Sequence, residues 1–233
     1  MKQLFRRPRM AITPDNNADT VASKRVQDRL LDAAEELFCA HGFDATSIRD
    51  IAASAHCNIA SVNYYFGGKD KLYAEVWRRH LQLMRDTRIA SIDKVMSQDQ
   101  AKPRLEDLLR SYANAFIEPM VGQSSGRRFI KLMAREMIDR HLSQNLFFEE
   151  MIIPVMTALQ KALVRICPAL DESEAQLAIL SIVGQLMNIV HATTMFEQVD
   201  NPQLPKLDLT EAVNHIVKFS AAGIRAMIKE ARK

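Results

Sequence analysis

Apolar residues recur at every third or fourth position along most of the chain, which is the period of an amphipathic α-helix rather than of a β-strand. The first run covers residues 24–41 and places Leu30 and Phe38 on one face. Gly42 follows this run, and glycine tolerates the left-handed backbone that often ends a helix. The same period returns from residue 69 to about residue 96. The pattern predicts an all-α fold.

Two short helices are predicted between these long ones. Ser47 and Asp50 have the spacing of a capping box, which starts the first short helix. Asn58 is a good N-cap for the second, which runs to about Tyr65 before the Gly67–Gly68 pair breaks the chain. Two short capped helices joined by a tight turn and held against a longer helix form the pattern of a helix-turn-helix unit. A generic helical hairpin fits the same pattern.

Further helices are predicted at residues 103–118, 127–142, 145–166, 171–197 and 208–230. The last two starts are the best defined. Asp171 and Glu174 have capping-box spacing, as do Asp208 and Glu211.

Composition shifts divide the chain into four segments. Residues 1–23 contain two prolines and a polar run, so we expect a flexible arm there. The helix-turn-helix unit occupies residues 24–68, and a connecting helix occupies residues 69–97. A helical domain is predicted over residues 98–233. It begins with the polar stretch of residues 98–102, and Pro103 is suited to the first turn of the next helix.

Charge and composition narrow the function classes. The chain carries 31 basic and 28 acidic residues, and residues 24–80 hold eight of each sign. Nucleic-acid binding would therefore depend on the local placement of charge. Three scattered cysteines without a CxxC pair encode neither a disulfide framework nor a zinc cluster, and they fit a reducing cytoplasm. No cofactor or metal motif occurs.

The most apolar stretch, residues 175–190, is interrupted by polar side chains. It is shorter than the roughly 20 residues that a membrane span needs. No membrane association is therefore expected.

Residues 29–76 closely resemble the N-terminal DNA-binding domain of the TetR family of bacterial transcriptional regulators. Several motifs coincide at fixed offsets: the LLDAAEELF helix, Gly42-Phe43, the TSIRDIA helix, the YYF end of the next helix and the Gly-Lys that follows. The string from Val62 to Lys69 is similar to the CecR (YbiH) branch of the family. The resemblance covers about a fifth of the chain and implies sequence-specific DNA binding.

The resemblance implies roles for single residues. Thr46 and Ser47 are expected to meet phosphate through their hydroxyls and the helix N-terminus. Residues 58–64 form the recognition helix, and Tyr65 and Lys69 clamp phosphates on either side of it. The expected DNA contacts are Thr46, Ser47, Arg49, Asn58, Ile59, Ala60, Ser61, Asn63, Tyr64, Tyr65 and Lys69.

The recognition helix has a mixed outward face. Val62 and Phe66 are expected to form its inner side. The amide of Asn63 is suited to adenine, and Ser61 and Tyr64 offer hydroxyls.

Two positions depart from the family pattern. His56 stands in the turn where many members have glycine, which predicts slight backbone strain. Ile59 stands where members often carry a polar residue, and either contact with a thymine methyl or simple packing accounts for it. In the arm, Arg6, Arg7 and Arg9 fit either insertion into a minor groove or a solvated tail.

The helix predicted over residues 171–197 is apolar on most of its circumference, so it needs burial on both sides. In the TetR family the two last helices pack against a second copy as a four-helix bundle, which implies a homodimer. The predicted interface residues are Leu177, Leu180, Gly184, Met187, Val213, Val217, Ala221 and Ile224.

The middle helices are rich in methionine, which adapts to irregular cavities. An effector pocket is therefore predicted there, with ordinary core packing as the alternative for any single residue. The predicted pocket residues are Phe129, Met133, Met137, Phe147, Met151, Asn188 and His191. Pro154 is expected to kink its helix by freeing the carbonyl of Glu150, which can line a cavity or bend a surface helix.

Together these features predict a dimeric repressor in the bacterial cytoplasm that a small-molecule effector releases from a palindromic operator. One alternative is a helical adaptor that binds only protein, for which the surface of residues 58–69 must be inert towards DNA. Another is a small helical enzyme with a site among Glu136, Asp139 and His141. Because no motif for metal binding, nucleophilic catalysis or phosphate binding occurs, no catalytic residue is assigned.

Overall fold

The computed structural model describes residues 16–97, 103–121, 123–197 and 207–230. Within these ranges every regular element is helical, which confirms the all-α prediction. The elements are α1 (Asn16–His41), α2 (Ile48–Ser54), α3 (Ile59–Phe66), α4 (Lys69–Met96), α5 (Leu105–Val121), α6 (Gln123–Asp139), α7 (Gln144–Phe147), a π-helical turn (Phe148–Ile152), α8 (Ile153–Ile166), α9 (Glu172–Glu197) and α10 (Leu209–Glu230).

The caps of the short helices form as the sequence predicts. Ser47 Oγ accepts a bond from the Asp50 N–H, and the Asp50 carboxylate accepts one from the Ser47 N–H, at 3.1 and 3.3 Å. Asn58 Oδ1 accepts from the Ala60 N–H at 2.8 Å. Gly42 follows α1 with φ +85°, in the left-handed region that favours glycine. These contacts fix where α2 and α3 begin.

The first three helices share a core that α4 closes. Leu30 of α1, Ile51 of α2 and Val62 of α3 are fully buried together with Leu72 and Val76 of α4. Val62 is the fully buried residue of α3, and Tyr65 and the predicted inner-face residue Phe66 pack against the same core while half-buried.

Helix α4 serves both halves of the molecule. Beyond the segment that packs on α1 and α3, it packs against α5, α8 and the π-helical turn. Buried side chains recur along its whole length, from Leu72 to Val95. The connecting helix is thus a structural member of both cores.

Several predicted boundaries were wrong. Helix α1 begins at Asn16, eight residues before the predicted start, because no glycine or proline follows Pro14 to break the helix. Part of the expected arm is therefore helical, while Arg6, Arg7 and Arg9 lie outside the described residues. Helix α6 begins earlier than predicted and ends at Asp139, since the next residue, Arg140, takes a left-handed φ of +53°.

The predicted helix at residues 145–166 is divided by the π-helical turn. Pro154 has no N–H to donate to the Glu150 carbonyl, so α-helical bonding is interrupted at this point. The chain adopts the wider π spacing over Phe148–Ile152 and resumes as α8. The prediction was a kink at Pro154; the structure has a π-helical turn before it, and Pro154 borders a groove between α4 and α8.

The last two helices are capped by aspartates. Asp171 and Glu174 form the predicted capping box, with bonds of 2.7 and 3.1 Å in the two directions. Asp208 Oδ1 accepts the N–H groups of Thr210 and Glu211 at 2.7 and 3.0 Å. Helices α9 and α10 then pack on each other, α9 also on α8 and α10 also on α5.

Candidate nucleic-acid interface

Helix α3 presents most of its predicted base-reading side chains to solvent. Val62 is its fully buried residue, whereas Tyr64 is 82% exposed and Ile59 is 47% exposed. Asn58, Ala60 and Asn63 are also exposed, and Ser61 and Tyr65 are half-buried. The tyrosine pair is fixed by an edge-to-face contact, with ring centroids 4.9 Å apart. The exposure of Ile59 places it on the outward face and not in the core.

The side chain of Thr46 is turned inward, whereas the predicted phosphate contact needs an outward hydroxyl. Thr46 is 2% exposed, and its hydroxyl donates to the Gly42 carbonyl at 2.7 Å, with the Leu37 carbonyl at 3.3 Å. The residue therefore holds the turn between α1 and α2.

Ser47 and Arg49 do lie on the surface at the start of α2. The Ser47 hydroxyl donates to the Asp50 carboxylate at 2.6 Å, so part of its hydrogen-bonding capacity is already used. These bonds to Ser47 lower the pKa of Asp50. Arg49 is the exposed cation beside this acidic cap.

Lys69 opens α4 in a defined position. Its Nζ lies 4.2 Å from the centroid of the Phe43 ring and 3.5 Å from the Asp44 carbonyl oxygen. The ammonium is therefore held above the turn that precedes α2.

The turn between α2 and α3 has the predicted unusual backbone. His56 has φ +52° and is exposed. Its N–H donates to the Ala53 carbonyl at 3.1 Å, and the Cys57 N–H donates to the Ala52 carbonyl at 2.8 Å. Histidine adopts this conformation at a small cost, which is the strain the sequence predicted.

Sequence reasoning missed a buried carboxylate beneath the interface. Glu35 of α1 is 2% exposed, and its carboxylate forms an ion pair with Arg79. His80 Nε2 lies 3.3 Å from one carboxylate oxygen, and Arg128 Nε lies 2.9 Å from the other. Burial raises the pKa of Glu35, but the hydrogen bonds and charges of His80 and Arg79 lower it to about 2. Arg128 belongs to α6, so this cluster joins the two domains. An acid among buried alanines of α1 was the available signal.

The residues considered for catalysis take part in contacts between the domains. Glu136 accepts a bond from the Tyr73 hydroxyl at 2.8 Å and one from the Leu142 N–H. His141 lies 3.3 Å from the Asp44 carboxylate and packs on the Phe43 ring, with centroids 4.3 Å apart. Asp139 is exposed.

The predicted pocket residues do not converge on one site. Phe129 is buried against Trp77 and His80 of α4, and Met151 contacts Arg88 about two turns further along that helix. Met133 and Phe147 are half-buried. The side chain of Met137 lies outside what the structure describes. The prediction that Asn188 and His191 line a pocket was wrong, because both residues lie exposed on α9.

The predicted dimer residues divide into two groups. On α9, Leu177, Leu180 and Met187 are 61%, 57% and 54% exposed, and nothing lies within 4 Å of a Cβ built on Gly184. On α10 the prediction was wrong, because the face that carries these residues packs inside the chain; they are Val213, Val217, Ala221 and Ile224.

Helix α10 instead exposes its opposite face. Phe219 is 64% exposed, and His215 stacks on it with ring centroids 6.1 Å apart. Gly223 lies on the same side and is also open.

One described segment, Glu172–Thr193 of α9, is long and apolar enough to cross a membrane by length and composition. Its mean hydropathy is 1.4, and 22% of it is buried within the chain. Polar residues such as Gln176, Ser181 and Asn188 interrupt its exposed side.

Two family profiles match the chain. One, described as bacterial regulatory proteins of the tetR family, covers residues 30–76 and thus the helix-turn-helix. The other, described as a Tetracyclin repressor-like C-terminal domain, covers residues 110–223. The chain belongs to the TetR family. Its N-terminal domain is the helix-turn-helix DNA-binding domain of a TetR-family transcriptional regulator.

Named relatives agree with this assignment. The chain is 32% identical over 87 residues to the probable HTH-type transcriptional regulator YttP of Bacillus subtilis, a match that spans 36% of this chain and 42% of YttP. It is 26% identical over 159 residues to the HTH-type transcriptional dual regulator CecR of Shigella flexneri, which spans 63% of this chain and 67% of CecR.

A solved structure of a TetR-family transcriptional regulator from Mesorhizobium loti shares the fold. It superposes with a TM-score of 0.66 at 18% identity and covers 86% of this chain and 96% of that one.

Proposed function

We propose that this TetR-family regulator is a homodimer of the bacterial cytoplasm that binds a pseudo-palindromic operator and represses transcription until a small-molecule effector releases it. The observation that carries the proposal is the surface of α3. The helix is held by Val62 and directs Asn63 and Tyr64 away from the core. An amide and a hydroxyl on an exposed helix suit the donor and acceptor pattern of a major groove.

Charge placement supports DNA rather than protein as the partner of this surface. Arg49 is exposed at the start of α2, and Lys69 lies at the start of α4. Both elements flank α3 along the chain. Cations on either side of a recognition helix set its register by contacting phosphates, while the helix reads bases.

The proposed dimer contact is the exposed face shared by α9 and α10. We define the dimer face as Leu177, Leu180, Gly184 and Met187 of α9 with His215, Phe219 and Gly223 of α10. Large exposed apolar side chains on adjacent helices mark an interaction surface. The two open glycines permit close approach of helix backbones. A second copy would bury this face and place two α3 helices on successive major grooves, about 34–36 Å apart.

Effector release would act through α4 and α6. Because α4 belongs to both cores and α6 carries Arg128 to Glu35, a change in the effector domain reaches the helix that supports α2 and α3. An effector that binds one arrangement of these helices more tightly shifts the population towards it, by its differential affinity for the two arrangements.

The test is selection of random duplex DNA by the purified protein, with the bound pools sequenced and the affinity measured at two salt concentrations. Sedimentation of the same sample gives its oligomeric state. We expect an inverted repeat bound by a dimer. A folded dimer that enriches no sequence would contradict operator binding and favour the protein adaptor. A reporter under the selected operator then distinguishes repression from activation, since the relative CecR is named a dual regulator.

A further inference from the structure

Arg88 of α4 is a buried arginine with no carboxylate partner among the described residues. It is 3% exposed, and its Nη1 lies 3.4 Å from the Sδ of Met151. The guanidinium carbon lies 4.1 Å from the centroid of the Phe116 ring. Its Nε and Nη2 have no hydrogen-bond partner in the part of the chain that the structure describes. Burial lowers the pKa of Arg88, partly offset by Tyr112.

Other arginines of the same helix are paired. Arg78 contacts Glu75 and Glu150, and Arg79 contacts Asp32 and Glu35. Burying a guanidinium without acceptors is costly, and a thioether and one aromatic ring compensate only in part. Such a residue contributes little to folding, so an anion that enters from outside is the natural partner for its free N–H groups.

Space for a ligand body begins about one helical turn from Arg88, which does not itself line it. A groove of about 450 Å³ lies between α4 and α8. Its lining includes Ile92, one turn beyond Arg88, and Pro154, three residues beyond Met151. Lys161 and Arg165 also border it and outnumber the single acid there, Asp93. The groove is therefore partly apolar and slightly basic.

Met151 covers the guanidinium from the π-helical turn. Glu150 of the same turn contacts Arg78 at 2.8 Å and Gln82 at 3.2 Å, both on α4. A π-helical turn is rare and is often found at functional sites. An anion that replaces Met151 at Arg88 would shift this turn and the contacts that Glu150 makes with α4. Helix α4 begins at Lys69, the predicted phosphate contact.

We propose that Arg88 binds the acidic group of the effector, so that the effector is an organic anion with an apolar body that lies in the groove between α4 and α8. The guanidinium donates two parallel bonds to a carboxylate, a geometry for which its planar fork is suited. The regulatory consequence rests on the proposed function, whereas the binding site does not.

Matched pairs of ligands test the charge requirement. Octanoate and 1-naphthoate are titrated into the full-length protein by calorimetry, each against its primary amide. We expect each carboxylate to bind at least about tenfold more tightly than its amide, because hydrogen bonds between charged groups are stronger than those to a neutral group. Equal affinity of carboxylate and amide in both pairs would overturn the proposal.

Variants assign the preference to Arg88. In Arg88→Met the carboxylate preference should disappear, and in Arg88→Lys it should weaken, because the charge stays but the fork is lost. Lys94→Met is the control, since it removes an exposed cation from the same helix. A carboxylate preference that survives in both Arg88 variants would assign binding to another site and overturn the proposal.

Thermal unfolding without ligand separates a binding role from a structural one. We expect Arg88→Met to unfold at the wild-type temperature or above, because an apolar side chain of similar size replaces an unpaired buried charge. A large drop in unfolding temperature in both Arg88 variants would show that the guanidinium supports the fold, against the proposal.

Operator binding is measured on the same samples by fluorescence anisotropy. Carboxylate binding that depends on Arg88 supports the site whatever happens to the DNA. If carboxylate binding leaves operator affinity unchanged, the proposal that the effector releases DNA is wrong, and the proposed binding site at Arg88 is still supported.

Discussion

Arg128 Nε of α6 lies 2.9 Å from Glu35 Oε1 of α1, so an ion pair crosses from the C-terminal domain to the DNA-binding domain. The other oxygen of the same carboxylate contacts Arg79 and His80 of α4. Three helices thus meet at one buried acid. Any displacement of α6 relative to α4 acts on this acid and through it on α1, against which α2 packs.

Glu35→Gln should remove part of the acid sensitivity of the fold. The pKa of Glu35 is about 2 in the folded protein, below its ordinary value of 4.5. Its ionised form therefore stabilises the fold fully above about pH 4.5, and that stabilisation is lost as the pH falls towards 2. We expect the variant to lose about 2 kcal/mol at pH 7, less than a fully buried pair, because Arg79 and Arg128 are partly exposed.

Urea unfolding of wild type and Glu35→Gln at pH 7, 4 and 3 measures this effect. The two stabilities should converge as the pH falls. Glu36→Gln changes the exposed neighbour and is the control. A constant difference between Glu35→Gln and wild type across the three pH values would contradict the assignment.

Lys69→Ala should weaken binding to every DNA sequence to a similar degree. Removing one phosphate contact lowers the salt dependence of binding by about one in the log–log slope. Tyr65→Phe should also weaken binding without changing base preference. The control is Lys94→Ala, at the opposite end of α4. An unchanged slope for Lys69→Ala would contradict its phosphate role.

Asn63→Ala should relax the base preference at one position in each half-site. Loss of a bidentate amide contact reduces discrimination by about 1–3 kcal/mol at that base. Repeating the selection of random duplex DNA with the variant checks this. A selected motif identical to that of the wild type would remove Asn63 from the base-reading residues.

Leu180→Glu should weaken or abolish dimerisation. A carboxylate placed in the apolar dimer face would be desolvated without a partner. Leu83→Glu is a matched control, because Leu83 is 61% exposed on α4 and lies outside that face. Sedimentation equilibrium distinguishes the two. If Leu180→Glu sediments as the wild-type dimer, α9 is not the contact.

Thr46→Val should lower stability without changing the salt dependence of DNA binding. The hydroxyl of Thr46 is bonded inside the chain to the Gly42 carbonyl at 2.7 Å, and loss of such a bond costs about 1 kcal/mol. Denaturant unfolding and DNA titration at several salt concentrations measure the two effects. A reduced slope would show that the hydroxyl meets phosphate after all.

Local signals in the sequence located most helix ends. Helix α4 runs from Lys69 to Met96 as predicted, because Gly68 precedes it and the apolar period is unbroken. Ser47, Asn58 and Asp171 cap their helices by bonding backbone groups two or three residues away. Errors arose where a local breaker was absent, as before Lys24, or where the backbone changed direction, as at Arg140.

The side of α10 that faces a partner was not predictable from its composition. Val213 and Phe219 are both apolar, yet the first is buried in the chain and the second is exposed. Only the packing of α10 on α5 and α9 decides which face remains outside. The same holds for His191, which was predicted in a pocket and lies on the surface of α9.

By itself the sequence determined the all-α fold, the helix-turn-helix and its family, because caps, helical periodicity and motif offsets involve residues close together along the chain. Only the tertiary structure decided which partners surround Glu35 and Arg88, two charged residues on apolar helix faces. Glu35 meets two arginines and His80 and links the domains, whereas Arg88 meets Met151 and Phe116 and keeps free donors among the described residues. Burial of a charge depends on partners brought from distant segments, and no local pattern encodes those partners.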